Sequence, residues 1–364
     1  MLTSFDGINW TPVTVVKSLL TTCYGIAVNR VLPNVAIPER LVVIYPSNPL
    51  DLIGGINYGG YGSILSSSTD GITWIPVPNT NSIFIDSVCN AIAWDGDQWL
   101  AGFSGTGPYK LGNSGDGFKW SGNASASSLL TTGCNALASN GSLWLAGGSG
   151  SSRLIYSADG DVWANVTGSP FNTDICLAIG WNGSLWVAGS NSTSNRLAYS
   201  ADGSANWFGS TSGNALFTTS CESVAWNGRI WVAVGGNTLG GVIATSTDGQ
   251  TWTAAATVPS TASWNSVAWN GTIWVVGGDS VLIGGSIALA YSYDGNIWLS
   301  TPTPIFNRYC SSVAWNGTLW IATGNDSAGN TAAYSYNGIT WTPANSTNVS
   351  AGYSVGVNRA FDET

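Results

Sequence analysis

Histidine is absent from this chain, and Lys, Glu and Met are nearly so, at three, three and one in 364 residues. Without His there can be no Ser-His-Asp or Cys-His nucleophile and no His-ligated zinc, and the usual general base near neutral pH is missing. Charged residues make up 8% of the chain, and ten Lys and Arg stand against 19 Asp and Glu. No run of basic residues exists to neutralise phosphates, so nucleic acid is excluded as a partner. No apolar stretch approaches the ~20 residues of a membrane helix, which excludes membrane insertion by that route. The opening residues, Met1 to Trp10, lack the charged and apolar regions of a signal peptide. The expectation is therefore a protein made without an evident leader. The residues that favour helices are scarce. Trp, Tyr, Val, Ile and Thr, which fit a pleated half-buried surface, are abundant, as are 47 Gly. An all-β body with many turns follows.

Two motifs recur through that body. The first is Ser-x-Asp-Gly-x-x-Trp, as in Ser4-Phe5-Asp6-Gly7-Ile8-Asn9-Trp10. It returns at Asp70, Asp116, Asp159, Asp202, Asp248 and Asp294, and with Asn337 in the Asp place. The second is Ala-Trp-Asn-Gly-x-x-Trp-Val, clearest at Ala225–Val232 and Ala268–Val275. Asn-Gly between apolar runs predicts a tight hairpin of type I′, with both central residues at positive φ. The Asp-Gly turn then joins a third strand to a fourth. Four short strands in about 45 residues is the content of one propeller blade. All but one of the 20 Trp fall in these motifs; the exception is Trp264.

The expected fold is one closed β-propeller of four-stranded blades spanning residues 1–364. Residues 14–352 supply seven complete repeats. Residues 1–13 and 353–364 together supply a closing eighth blade, seven blades with terminal caps being the alternative. In the first repeat, Ile26–Arg30 and Leu41–Tyr45 read as strands around a lengthened hairpin.

The Asp-Gly copies resemble the Asp-box, or BNR repeat, of sialidase-like propellers, although most are one residue shorter. Their combination with Trp-Asn-Gly-x-x-Trp is similar to repeat proteins predicted in giant DNA viruses. The resemblance implies that Asp6, Asp70, Asp116, Asp159, Asp202, Asp248, Asp294 and Asn337 are structural turn residues. A sialidase-like hydrolase would further imply an arginine triad, a Tyr/Glu nucleophile pair and an acid/base Asp. The seven Arg carry no Arg-Ile-Pro motif, and only Glu39, Glu222 and Glu363 could serve as the Glu. No catalytic residues are assigned, and no cofactor or metal site is expected.

Six Cys, namely Cys23, Cys89, Cys134, Cys176, Cys221 and Cys310, all precede the first strand of a repeat. Equivalent positions in a ring lie too far apart for disulfides, and small buried thiols are the expected role. Binding residues are expected in the loops between blades, where Arg153, Arg196, Trp264, Asp279, Arg308 and Tyr309 stand out. The favoured function is non-enzymatic: a building block of a virion, fibre or surface layer whose partners are other protein subunits. A carbohydrate-binding lectin with glycan partners, in an extracellular setting, is the alternative, and a glycan hydrolase comes last.

Overall fold

The computed structural model describes residues 2–3, 11–12, 52–57, 65–68, 72–171, 174–259, 262–279, 288–302, 305–325, 331–344 and 351–357. Residues 1–49 and 50–364 are separate compact units. In the first unit, Leu2–Thr3 pairs antiparallel with Thr11–Pro12. The Asp6 turn between them lies outside the described residues, as do Asp70, Cys23 and the segments 26–30 and 41–45.

The second unit is all-β and built from four-stranded antiparallel sheets. The fifth sheet shows the pattern: Trp264–Trp269, Trp274–Gly278, Leu289–Ser292 and Leu299–Ser300, paired in that order. The same order is found in the sheets that begin at Ser87, Gly133, Cys176, Ser220 and Tyr309. A single bridge, Gly133↔Ser104, joins the first two sheets. The second strands of the first six sheets are buried along most of their length, as in Trp274–Gly278, because both faces of each sheet are covered.

The seventh sheet draws on both ends of the unit. Its first strand is Ala351–Val357, laid on Leu52–Asn57, followed by Ser66–Ser68 and Ile75–Pro76. This pairing differs from the expected closure of 353–364 onto 1–13. Leu52–Asn57 has the apolar, Gly-rich character of every second strand, with Leu52 in the place of Trp. Its true partner is set by tertiary packing, which outweighs local motif order.

Apolar cores lie between sheets, one at each junction among the described residues. One joins Val187 and Leu197 of the third sheet to Trp231 and Trp252 of the fourth. Another joins Leu319 and Ile321 of the sixth to Trp74 and Val355 of the seventh. The seventh meets the first through Leu65, Val77, Cys89 and Trp99. Each first strand packs on that of the next sheet, and Ala351–Val357 packs on Ser87–Trp94, so the order of neighbours is cyclic. Burying one Trp removes ~150–250 Å² from water, which by area amounts to several kcal/mol per junction.

The Asp turns are built as the motif predicts. Asp294 Oδ1 accepts from the backbone N–H groups of Asn296 (2.8 Å) and Ile297 (2.9 Å), and Ser292 Oγ accepts from Gly295 N–H (2.9 Å). The Trp298 indole N–H closes the turn on Gly295 O at 2.9 Å. The turns at Asp116, Asp159, Asp202 and Asp248 follow the same plan. Asn337 substitutes without loss, because only Oδ1 is used: it accepts from Ile339 and Thr340 N–H, both at 2.9 Å.

The Asn-Gly hairpins are not type I′ turns. Only the Gly has positive φ, as at Gly271 (96°), and the strands end on a Trp269↔Trp274 pair that leaves a four-residue loop. Asn270 Oδ1 accepts from Thr272 and Ile273 N–H at 2.9 and 2.8 Å, so the side chain imposes the turn that the backbone would otherwise need positive φ to make. The two Trp meet across the loop, with ring centroids 4.9 Å apart in this sheet.

Between sheets the connections are partly helical. Ala124–Leu129 is capped by Asn123, whose Oδ1 accepts from Ala126 N–H at 2.8 Å. Thr211–Leu216 is capped by Ser210 in the same way. Asn123 also donates to Gly160 O and Asp161 O of the next sheet and is buried.

Candidate functional site

Every one of the seven sheets carries a β-bulge at the same place. In the first sheet Cys89 pairs with Phe103 and Ala91 with Gly102, so Asn90 has no partner opposite it. The corresponding residues are Asn135, Leu177, Glu222, Asn265 and Ser311, and Tyr353 in the seventh sheet. An extra residue in a strand breaks the ladder locally and turns its side chain aside. Two positions after each of the five described Cys, and after Trp264 and Gly352, stands Ala or Ser: Ala91, Ala136, Ala178, Ser223, Ser266, Ser312 and Ser354. Small side chains there leave room, and a cavity of about 160 Å³ lies among the first strands of six sheets.

Asn90, Glu222, Ser223, Ser312 and Ser354 are the polar lining; Ile92, Leu137, Leu177, Ile179 and Val224 contribute aliphatic surface. Asn90 Nδ2 donates to Asn135 Oδ1 (3.1 Å) and to Cys134 O (3.4 Å). Asn265 makes the equivalent bond to Cys310 O (3.2 Å) and a second to Asp279 Oδ1 (2.8 Å). Burial pushes the Glu222 carboxyl above the ordinary carboxylate range. A hydrogen bond from Ser220 opposes this, and the negative charge of Asp279 adds to it. Both the desolvation and the neighbouring negative charge disfavour the ionised form relative to an exposed carboxyl.

Of the residues singled out from sequence, Asp279 and Tyr309 form a backbone bridge beside Asn265. Arg308, next in the chain, is exposed. Trp264 belongs to the same sheet but is wholly buried, filling core space where five other sheets place Cys. Arg153 and Arg196 lie apart from this group and brace their own loops. The Arg153 guanidinium donates to Gly150 O and Ser152 O, and that of Arg196 to Thr193 O at 3.3 Å. The bulge residues were missed from sequence; the available signal was one varied residue between a repeated Cys and a repeated Ala or Ser.

The five described Cys are unpaired and buried. Burial pushes the thiols of Cys89 and Cys176 up to about 12 and raises the other three as well, so none is a nucleophile near neutral pH. Among the described residues, no group of three His, Cys, Asp or Glu is placed to hold a metal ion. No described helix is long and apolar enough to cross a membrane.

No protein-family model matches the chain, and no curated protein matches it. Among solved structures, it is similar to a computationally designed protein at 10% identity, over 70% of this chain and 73% of that one, with a TM-score of 0.48. It is also similar to a putative 6-phosphogluconolactonase from Bacteroides uniformis at 12% identity, over 85% of this chain and 99% of that one, with a TM-score of 0.52. At this identity the second likeness is one of fold.

Proposed function

We propose that residues 50–364 form a closed seven-bladed β-propeller, and that it serves as a non-enzymatic building block of a protein assembly such as a virion, fibre or surface layer. The cyclic order of sheets, with a core at each junction and the seventh sheet made from both ends, supports closure. On this reading there are seven blades, the alternative weighed from sequence, in place of eight.

The observation that carries the assembly reading is the outer edge of the sheets. Each fourth strand is only two residues long, and apolar side chains stand exposed on or beside several of them: Ile75, Phe208, Ile297 and Leu299, with Tyr293 and Tyr336 in the adjoining turns. A sparsely charged surface with such side chains on its rim suits a subunit that buries its edge against neighbours. Short edge strands resist indiscriminate pairing, so side-chain contact is left as the means of association.

Light scattering across a concentration series tests this. Association that grows with concentration and falls when Phe208 and Leu299 are replaced by Ser supports the reading; a monomer at the highest attainable concentration overturns it. Glycan binding is the second reading, favoured by the polar and aliphatic lining of the cavity.

A further inference from the structure

Within the first strands, the bulge is a place where a repetitive chain stops repeating. The residues on either side are restricted in kind: a Cys, Trp or Gly before, and a small Ala or Ser after. The bulge residue has no ladder partner to satisfy, yet it varies from Asn to Leu to Glu around the ring. Three of these residues, Asn90, Leu177 and Glu222, line the cavity, and variation at cavity-lining positions is how a rigid fold acquires a ligand preference.

The lining also decides the class of ligand. Lys and Arg are absent from it, so an anion would meet no counter-charge. Glu222 is the only ionisable group among the described lining residues, so a cation would find a single charged ligand where bound cations draw on several. What remains is amide, hydroxyl and carboxyl groups able to donate and accept, beside the half-buried aliphatic side chains of Ile92, Leu177 and Ile179. A sugar ring presents that combination, with hydroxyls that each donate and accept around an apolar C–H face. The cavity holds on the order of ten water molecules and so suits one pyranose.

We infer that the cavity ringed by Asn90, Leu177 and Glu222 binds a single small neutral polyhydroxylated molecule of monosaccharide size. This deepens the glycan-binding reading of the same cavity, on which it rests, and does not depend on the assembly reading. One bound ring making a few hydrogen bonds implies a Kd on the order of 1 mM.

The test is isothermal titration and saturation-transfer NMR on the full chain. The probes are free galactose, glucose, mannose and N-acetylglucosamine, with methylammonium and acetate as charged controls. The expected result is binding of at least one neutral sugar and of neither control. Asn90→Ala should weaken that binding about fivefold, the effect of one hydrogen bond, and Ser312→Leu, which fills the cavity, should abolish it. A melting temperature for each variant separates lost binding from lost folding. Silence from all four sugars to about 100 mM, well above the expected Kd, overturns the inference, as does binding of the charged controls alone. Binding left unchanged by both folded variants places the sugar elsewhere and overturns it equally. None of these outcomes alters the light-scattering test of assembly.

Discussion

Changing Asn227 to Asp should stabilise the protein by supplying a buried indole with the acceptor it lacks. The template is Asp95, which stands in the first sheet's hairpin where the other repeats have Asn. Its Oδ1 makes the turn, accepting from Asp97 and Gln98 N–H at 2.9 and 2.8 Å. Its Oδ2 is then free to accept the indole N–H of Trp144, in the next sheet, at 2.9 Å. In the hairpins of Asn182, Asn227 and Asn270, Oδ1 is engaged in the same way, and the remaining amide group is a donor that cannot accept from another donor. Trp231, Trp274 and Trp320 begin the second strands of the sheets that follow those hairpins, and each buries an indole N–H with no acceptor among the described residues. A hydrogen bond to a charged acceptor contributes about 1.5–3 kcal/mol. Burying part of a new carboxylate offsets some of this, leaving about 1 kcal/mol, or about 2 °C in Tm for a domain of this size. The reverse change, Asp95→Asn, strands the Trp144 donor and should cost about 2 kcal/mol and lower Tm by about 4 °C. Thermal melts followed by near-UV circular dichroism at neutral pH read both. The account is refuted if Asp95→Asn melts with the wild type, and weakened to a local accident if only Asn227→Asp fails.

Further outcomes follow from the turns, thiols and closing strand. The Asp294 carboxyl is held below the usual carboxylate range chiefly by the Ile297 N–H, against some opposing desolvation, and Asp159 chiefly by the Val162 N–H. A lowered folded pKa gives stability that is complete above the unfolded value near 3.9 and is lost as pH falls through the folded value. Asp294→Asn, which keeps both N–H bonds as Asn337 does, should leave the neutral-pH melt nearly unchanged and make the decline below about pH 4 shallower. An unchanged acid limb in a pH series of melts would count against this. The five buried thiols should resist iodoacetamide in the native state and react fully in denaturant, as intact-mass spectrometry would show; rapid native labelling at any of them contradicts their burial. Deleting residues 351–364 strips Leu52–Asn57 of its partner strand and should produce aggregation through the exposed edge. A soluble product with an undiminished Tm would show that this strand does not close the seventh sheet.

Much of the architecture could be read because its signals are local. Ser292-Tyr293-Asp294-Gly295 specifies its turn through side-chain acceptors within three residues, and Asn337 could be recognised as an equivalent because only one oxygen is needed. The four-strand unit followed from the spacing of those turns. Features decided at longer range were hidden. Leu52–Asn57 and Leu41–Tyr45 are both apolar, and only packing selects the former as partner of Ala351–Val357. The hairpin loops were misjudged because Asn270 acts through its side chain and not through its own φ. A bulge has no residue-type signature, since Asn90, Leu177 and Glu222 share a backbone role and no chemistry. Trp264 attracted attention because it lay outside the motifs, but a place outside the motifs can still be core.

The seventh sheet imposes an order on synthesis. Leu52–Asn57 leaves the ribosome well before the strand that completes its sheet, which lies about 290 residues further along. At about 5–20 residues per second, that interval is roughly 15–60 s. Six sheets can form as their own residues emerge, because each is contiguous in the chain. The seventh must hold an unpaired edge until Ala351–Val357 has been made, so protection of the nascent chain over that interval bears on how much folded protein is recovered.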